Sequence, residues 1–322
     1  MARCGLMTIE SRPPFSLSGF LGQDVLPRKP WGMMRWSHSG LTRPSRVVET
    51  AVSSVSLPVD PSVSNGRVFR VLSYNIQVGI DTRRYGEYLT QGWKHLLPNP
   101  KRLPNLNRIA RLLADYDLVG LQEVDAGGLR SGFLDQTEYL AYRAGFPYWH
   151  AQVNRNLGPF GRPSNGLLSR FCPRILKDVR LPGRIPGRGA LLAEFAVSDG
   201  GALAVCSIHL ALGAKARLRQ LDFLADLLAG YRYTIVLGDF NCGAHTPPLD
   251  HFRDLLDLHA PCCEAMSFPS WRPRRRIDHI LVSGFIQILD SAVLPHAFSD
   301  HLPVTMRCAL PLGVRLLSGL AS

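Results

Sequence analysis

Polar side chains that can bind a metal ion or transfer a proton stand at the ends of several apolar, strand-like runs of this sequence. They are acids, amides and histidines, and each adjoins a run rich in β-branched and aliphatic residues. A polar group beside a buried strand costs free energy unless it is paired, hydrogen-bonded or bound to metal. Binding sites of layered α/β proteins form at strand ends. The residues of this kind are Asn75, Glu123, His209, Asp239, Asn241, Asp278, Asp300 and His301.

Each of these residues, taken alone, has an ordinary structural explanation. An Asp at a strand end is commonly a cap or turn residue, and the segment GDFN can form an Asx-turn. A single His beside a strand is more often a satisfied core or surface residue. The ordered set is much harder to obtain by chance, so we interpret these positions as one site.

The elements that would position the set follow from the hydrophobic pattern. The pattern predicts strands over 68–78, 117–124, 233–241, 276–284 and 302–310, with several shorter strands between 148 and 210. It predicts helices over 106–116, 135–145 and 216–230, the last two ending at a glycine. Many strands with few helices over about 250 residues predict one α/β domain built on stacked sheets.

Residues 1–66 differ from the rest, because they are rich in Ser, Pro, Gly and Arg and lack sustained periodicity. We interpret them as a flexible extension, or as a segment translated from an upstream start codon with Met33 or Met34 as the true start. The predicted domain spans residues 67–312, and residues 313–322 form a predicted C-terminal tail.

The composition limits the function classes. The chain has 322 residues with ordinary globular composition, which excludes wholesale disorder or a fibre. Its formal net charge of +12 suggests an anionic partner. The seven cysteines include no C-x-x-C pair, so we expect neither a disulfide framework nor a zinc site. No run reaches the roughly 18 to 20 apolar residues of a membrane span. We expect a cytoplasmic monomer without a transmembrane segment.

The ordered set resembles the motifs of the endonuclease/exonuclease/phosphatase superfamily, which has the deoxyribonuclease-I-like fold. The resemblance covers about residues 68–310 and is similar to small bacterial members. It implies a four-layer α/β/β/α sandwich, in which two stacked mixed β-sheets are flanked by helices. The matching motifs are SYN (73–75), LQEVD (121–125), SIHL (207–210), LGDFN (237–241), RIDHILV (276–282) and SDHLPV (299–304).

The resemblance implies a metal site of hard oxygen ligands, which favour Mg²⁺ or Mn²⁺ over zinc. By this resemblance Glu123 is the main metal carboxylate. Asn75 helps to place the metal or a phosphate oxygen. Asp300 is a second acidic ligand, directly or through water.

The resemblance also implies roles in phosphoester hydrolysis. Asp239 orients or deprotonates the attacking water, and Asn241 donates a hydrogen bond to a phosphate oxygen. His301 contacts the scissile phosphate or acts as base, with Asp278 fixing its tautomer and raising its basicity. His209 stabilises charge on the phosphate or the leaving oxygen.

Substrate-binding candidates lie outside the motifs. Asn165 either sits near the site or forms a turn. Arg275 and Arg276 belong to a basic cluster that leads into the strand of Asp278, whereas the arginine-rich stretch 155–188 is interpreted mainly as a solvated rim. The insertion 81–104 carries aromatic and basic residues that can stack bases or enter a lipid interface. His279 is expected in packing or at the surface, and four further histidines are interpreted as structural: His245, His251, His259 and His296.

The favoured function is a divalent-metal-dependent phosphoesterase that hydrolyses phosphodiester, or phosphomonoester, bonds with activated water. The basic charge favours nucleic acid, or a general phosphodiester, as the substrate. A phospholipid or inositol-phosphate phosphoesterase is the first alternative, because these enzymes share the motifs. A non-catalytic anion-binding homologue is the second, and the complete set of polar positions argues against it.

Overall fold

The computed structural model describes residues 47–50, 53–54, 66–80, 100–183, 188–261 and 265–317. Most of the predicted N-terminal extension, residues 81–99 of the predicted insertion and residues 318–322 of the predicted tail lie outside the described residues. In the part of the chain that the structure describes, no helix combines the length and apolar composition of a membrane span.

The described residues form fourteen strands and four α-helices. The strands are β1 (Val47–Thr50), β2 (Ser53–Ser54), β3 (Val68–Asn75), β4 (Leu118–Asp125), β5 (Tyr148–Val153), β6 (Pro163–Ser169), β7 (Ile175–Arg180), β8 (Gly189–Ala196), β9 (Ala202–His209), β10 (Tyr233–Asp239), β11 (Leu258–His259), β12 (Asp278–Ser283), β13 (Gln287–Val293) and β14 (Val304–Ala309). The helices are α1 (Arg102–Leu113), α2 (Gln136–Ala144), α3 (Ala214–Leu228) and α4 (Pro247–Leu255).

The strands form two mixed sheets of seven strands each. The first sheet has the order β1-β7-β8-β9-β10-β12-β11, and the second has the order β13-β14-β3-β4-β6-β5-β2. Two pairs are parallel, β9 with β10 and β3 with β4, while the remaining neighbours are antiparallel. An apolar core that includes Phe69, Val71, Leu191, Val205 and Ile235 fills the space between the sheets.

Helices cover the outer face of each sheet. Leu221, Leu224 and Leu228 recur along α3 at helical spacing and pack on the first sheet. Leu106 and Ile109 of α1 pack in the same way on the second sheet, together with residues of α2. The predicted four-layer α/β/β/α sandwich is therefore confirmed.

Local sequence signals explain where the predicted elements begin and end. The Asp135 side chain accepts hydrogen bonds from the backbone N–H groups of Thr137 (3.0 Å) and Glu138 (3.2 Å), which caps α2. The helix ends at Gly145, whose φ of 73° is a left-handed conformation that glycine adopts without strain. The buried strands β4 and β10 are almost wholly apolar until their polar ends, because both faces of each sheet are covered.

Two details bear on the predicted domain division, which stays a prediction. Strand β1 lies within the predicted extension but pairs with β7 along the edge of the first sheet. Leu316, in the predicted tail, is buried, and its N–H donates to the carbonyl of Gly66 (2.9 Å). Packing of the described chain thus continues on both sides of residues 67–312.

Candidate active site

The strand register brings all six motifs to one end of the two sheets. His209 at the end of β9 is the Cα partner of Asp239 at the end of β10, and Asp239 is in turn the partner of Asp278 at the start of β12. In the second sheet, Asn75 at the end of β3 is the partner of Gln122 in β4. Strand β14 pairs antiparallel with β3, so the loop before β14, which carries Asp300 and His301, reaches the same end.

Asp278 and His301 form a buried hydrogen-bonded pair. Nδ1 of His301 lies 2.9 Å from Oδ2 and 3.0 Å from Oδ1 of Asp278. The Ser267 hydroxyl donates to the same carboxylate (2.6 Å), and the Ser299 hydroxyl accepts from the backbone N–H of His301 (3.1 Å). Burial alone would lower the pKa of His301, but the Asp278 charge and hydrogen bond, with further acidic charges, raise it to about 10. The predicted partnership of these two residues is present.

Asp239 lies between the two histidines of the site. Its Oδ2 is 3.4 Å from Nε2 of His209 and 4.0 Å from Nε2 of His301. The carboxylate accepts hydrogen bonds from the side-chain amide of Asn75 (3.3 Å) and the backbone N–H of Asn241 (2.9 Å). Burial raises the pKa of Asp239 to about 7, the positive charge of His301 opposes this rise, and nearby acids add to it.

The Asn241 side chain makes a hydrogen bond that holds the turn after β10. Its side-chain amide donates to the carbonyl of Leu210 (3.0 Å), which follows β9. Its φ of 54° lies in the left-handed region that Asn tolerates better than most residues. This contact fixes the turn that presents Asp239, and the predicted hydrogen bond to phosphate stays a prediction.

Glu123 and Asp300 form a more open acidic corner. The Glu123 side chain is 39% exposed, and its φ of 54° lies within the irregular pairing between Leu121 and Val124. Oδ1 of Asp300 is buried without a hydrogen-bond partner. Burial raises the pKa of Asp300 to about 7, His301 opposes this rise, and the Glu123 charge adds to it. Crowded carboxylates with an orphaned oxygen are what a bound cation would stabilise.

The donor set of this corner fits a hard divalent cation. The carboxylate oxygens of Glu123 and Asp300 suit Mg²⁺ or Mn²⁺. The amide oxygen of Asn75 accepts from the backbone N–H of Gln77 (3.2 Å), so its predicted role as a metal ligand stays a prediction. A second compact group consists of Asp239, Asp278 and His301, whose ligand atoms all lie within 4.8 Å of one another. In that group the Asp278 carboxylate is already engaged by His301 and Ser267.

Asn165 lies within β6, so the alternative of a turn role is wrong. It is fully buried, and its side-chain amide donates to the carbonyl of Gly189 (3.1 Å) and to Oε1 of Gln152 (3.3 Å). Gly189 is the Cα partner of His209. Asn165 therefore connects the second sheet to the strand beside His209, and direct substrate contact stays a prediction.

The two predicted substrate-binding arginines point in different directions. The exposed Arg275 holds its guanidinium 5.9 Å from the ring centre of Phe268, and that ring packs 4.8 Å from the ring of His301. Arg276 instead donates to the carbonyl of Pro261 (3.4 Å). Arg275 thus lies near His301 through the Phe268 ring, and its role in substrate binding stays a prediction. The Arg276 contact indicates a structural role.

Sequence reasoning missed residues that contact the predicted set. Arg188, assigned to the solvated rim, contacts Nε2 of His209 through Nη1. Burial, followed by the charges of Arg188 and His301, lowers the pKa of His209 well below its usual value. Ser299 lies inside the SDHLPV motif, so its contact with the backbone of His301 could have been predicted from the sequence. Ser267 lies outside the motifs, and no sequence pattern indicated its contact with Asp278.

His279 packs away from the site, as its position next to Asp278 in a strand predicts. Its ring meets the edge of the Phe240 ring at 5.2 Å between centres, and Nε2 donates to the carbonyl of Cys242 (2.9 Å). Burial lowers its pKa to about 4. The expectation of a packing role is confirmed.

Comparisons with known proteins match both the sequence and the fold of this chain. The family model described as Endonuclease/Exonuclease/phosphatase family matches residues 72–301. A mannosyl-6-phosphatase from Bacteroides thetaiotaomicron is 20% identical, with a TM-score of 0.55 over 75% of this chain and all of the other chain (100%). The human Nocturnin catalytic domain, with bound sulfate, is 20% identical, with a TM-score of 0.56 over 84% of this chain and 100% of that one.

A third structure, of the 2′,3′-cyclic phosphatase ANGEL2, is 15% identical, with a TM-score of 0.58 over 76% of this chain and 96% of that one. A search of curated proteins gave no match. At these identities the structural likeness establishes the fold. The family model covers well over half of the sequence, and the chain belongs to the endonuclease/exonuclease/phosphatase family.

Proposed function

We propose that the protein is a divalent-metal-dependent phosphoesterase that hydrolyses phosphodiester bonds, with nucleic acid as its first candidate substrate. The proposal rests on two neighbouring groups of side chains. One can transfer a proton, and the other is the acidic pair of Glu123 and Asp300. His301 lies within hydrogen-bonding distance of Asp278 and within ion-pairing distance of Asp239. Beside them, Asp300 keeps a buried carboxylate oxygen without a partner.

Glu123, Asn75 and Asp300 would hold the Mg²⁺ or Mn²⁺ ion. When bound, the ion supplies positive charge that stabilises the developing negative charge of the phosphoryl group. The hydroxyl of Ser299 donates to the backbone carbonyl of Asn75 (2.6 Å). This bond joins the loop of Asp300 to the end of β3, and so helps to keep the three oxygen donors together.

His301 acts as a hydrogen-bond donor to the phosphate. Its Nδ1 is held by Asp278, which leaves Nε2 directed towards Asp239 and the centre of the site. With a pKa raised to about 10, the imidazole is protonated at neutral pH and presents positive charge on Nε2. This protonation state favours phosphate contact over a role as base.

Asp239 accepts the proton of the attacking water. A general base works best when its pKa lies near the working pH, and burial raises the pKa of Asp239 to about 7. Hydrogen bonds from Asn75 and from the backbone of Asn241 hold the carboxylate in one orientation. A fixed carboxylate can orient a water molecule for attack without reorganisation during the reaction.

The basic surface supports a polyanionic substrate. The net charge of +12 and the exposed Arg275, close to Phe268 and His301, would attract and position a phosphate backbone. The similar structures include phosphatases that act on other phosphate esters. Phospholipid and inositol-phosphate substrates therefore belong in the test.

The test is a substrate panel with purified full-length protein. Single-stranded DNA, duplex DNA, RNA, sphingomyelin and inositol phosphates are each incubated with Mg²⁺, with Mn²⁺ or with EDTA. We expect metal-dependent turnover that EDTA abolishes and that Glu123→Ala reduces by at least about 10²-fold. Asp226→Ala, which removes an exposed acid on α3, is the matched control and should retain wild-type turnover.

The pattern of turnover identifies the substrate class. Hydrolysis of DNA or RNA supports the proposal, whereas turnover confined to sphingomyelin or inositol phosphates supports the alternative phosphoesterase. Phosphate-ligand binding without turnover of any substrate would support the anion-binding homologue and overturn the enzymatic proposal. Activity that persists unchanged in EDTA would overturn the metal dependence.

A further inference from the structure

Arg188 stands beside the site although it lies outside the six motifs that carry the predicted site residues. It directly precedes β8, whose first residue, Gly189, is the Cα partner of His209. This register places Arg188 next to the end of β9, and its Nη1 contacts Nε2 of His209. Arg188 is half-buried, and its guanidinium contacts a buried histidine of the site.

The contact determines which ring nitrogen of His209 carries hydrogen. An arginine guanidinium has five N–H donors and no acceptor. Nε2 of His209 must therefore accept from Arg188, and the ring hydrogen is on Nδ1. Nε2 is also the atom that faces Asp239 (3.4 Å) and Glu123 (3.9 Å). His209 therefore has no N–H on this nitrogen to offer a phosphate while Arg188 is in place.

The charge of Arg188 is not neutralised by a carboxylate. Among the described residues, no Asp or Glu oxygen lies within the 4.0 Å of an ion pair with it. Other partly buried cations of the protein do have such partners, as Arg130 has Asp125 and Lys177 has Glu194. A guanidinium without a carboxylate, at the edge of a phosphate site, is suited to bind an anion.

We propose that Arg188 is a catalytic residue that contacts the non-bridging oxygens of the scissile phosphate, and that His209 is its positioning residue. The inference rests on the proposed function and deepens it. One N–H of the guanidinium donates to His209, and the remaining donors are available for phosphate oxygens. The cation strengthens its hydrogen bonds as negative charge develops on these oxygens, so it stabilises the transition state more than the bound substrate.

Chemical rescue tests the role of Arg188. We expect Arg188→Ala to lower kcat by about 10²-fold, and added guanidinium ion, below denaturing concentrations, to restore part of the activity. Arg188→Lys keeps the positive charge but loses the planar guanidinium with its paired donors. Its kcat should lie between those of the wild type and Arg188→Ala. Arg180→Ala, an exposed arginine at the end of the neighbouring strand β7, is the control and should need no rescue. An Arg188→Ala protein with wild-type kcat would overturn the proposal.

A double-mutant cycle tests the positioning role of His209. If His209 acts through Arg188, His209→Leu lowers kcat strongly in the wild type but only slightly in Arg188→Ala. His209→Gln keeps a side-chain acceptor and should retain more activity than His209→Leu. Equal losses from His209→Leu in both backgrounds would show that His209 contacts the substrate independently, which would contradict the inference.

Binding of inorganic phosphate separates this inference from the proposed function. With Mg²⁺ present, calorimetry should show phosphate affinity at least about tenfold weaker in Arg188→Ala than in the wild type, with unchanged Mg²⁺ affinity. This result would support the Arg188 contact even if no substrate of the panel were hydrolysed. Unchanged phosphate affinity in a folded Arg188→Ala protein would overturn it.

Discussion

The two histidines of the site lie on either side of Asp239 and have partners of opposite charge. Nδ1 of His301 is held by the Asp278 carboxylate, whereas Nε2 of His209 accepts from the Arg188 guanidinium. Both rings are buried to a similar degree, with 6% of each side chain exposed. Because burial is the same, the difference between them comes from their partners.

The partners give the two rings opposite protonation. Acidic charge raises the pKa of His301 to about 10, while burial, Arg188 and His301 lower that of His209 well below its usual value. One ring is therefore a cation that can donate to phosphate, and the other is a neutral acceptor that can orient a cation. The same residue type thus has two different protonation states at one site.

The largest loss of kcat is expected from substitution of Asp239, whose carboxylate lies between the two histidine rings. Asp239→Asn removes the acceptor for the water proton and leaves both histidines facing a neutral amide. We expect kcat to fall by about 10³- to 10⁴-fold with saturating Mg²⁺. Asp226→Asn, on the exposed side of α3, is the matched control. A kcat within about tenfold of wild type would exclude Asp239 as the base.

Asp278→Asn should change the pKa of His301 much more than that of His209. Loss of the carboxylate lowers the pKa of His301, because the charge that raised it is gone, and kcat should fall by about 10²-fold. Proton NMR titration of the two rings measures the shift directly. A His301 pKa that stays near 10, or an equal shift at His209, would show that the two histidines are not separately controlled.

Metal binding should stabilise the protein more at high pH. The pKa values of Asp239 and Asp300 are raised from 3.8 to about 7, so the folded metal-free protein holds these protons more tightly than the unfolded chain. These groups therefore make stability fall as the pH rises from about 4 to about 7. Mg²⁺ would require the ionised carboxylate of Asp300 and would offset part of this loss.

The measurement is Tm against pH with and without millimolar Mg²⁺. We expect a rise of several degrees at pH about 8 and little change at pH about 5. Asp300→Asn should abolish most of the rise, whereas Asp226→Asn should keep it. A Mg²⁺ effect that is the same at both pH values would argue against titrating carboxylates as ligands.

The smallest change in kcat is expected from substitution of His279, the residue that follows Asp278. His279 projects to the other face of β12 and packs on Phe240. His279→Leu should lower the free energy of unfolding by about 1–3 kcal/mol, because the carbonyl of Cys242 loses its donor, and should leave kcat near wild type. Denaturant unfolding and kcat are measured on the same sample. A large loss of kcat with unchanged stability would place His279 in the mechanism.

The fold, and the placement of the motif residues at one end of the sheets, were predictable because they depend on local patterns. Apolar runs such as that of β10 end at Asp239, and the ends of paired strands must meet at one edge of a sheet. By contrast, the sequence analysis did not predict β13 and α4. The strand β13 is largely exposed and carries polar residues such as Asp290 and Ser291, so it lacks the buried-strand pattern.

The contacts that distinguish the two histidines were harder to predict from the sequence. The resemblance to the family predicted that Asp278 would fix the tautomer of His301 and raise its basicity. The partner of His209 depends on the direction of one side chain in the segment before β8, and sequence spacing does not determine such a direction. Arginine is abundant in this chain, so its type alone gave no reason to select Arg188.

The most direct test of the central claim is turnover of the best substrate by wild-type protein and by His301→Ala, each with saturating Mg²⁺ and with EDTA. His251→Ala, which removes an exposed histidine on α4, is the control. The account predicts turnover by the wild type and the control only with metal, and a loss of at least about 10²-fold in His301→Ala. Turnover by His301→Ala within about threefold of wild type would contradict the account.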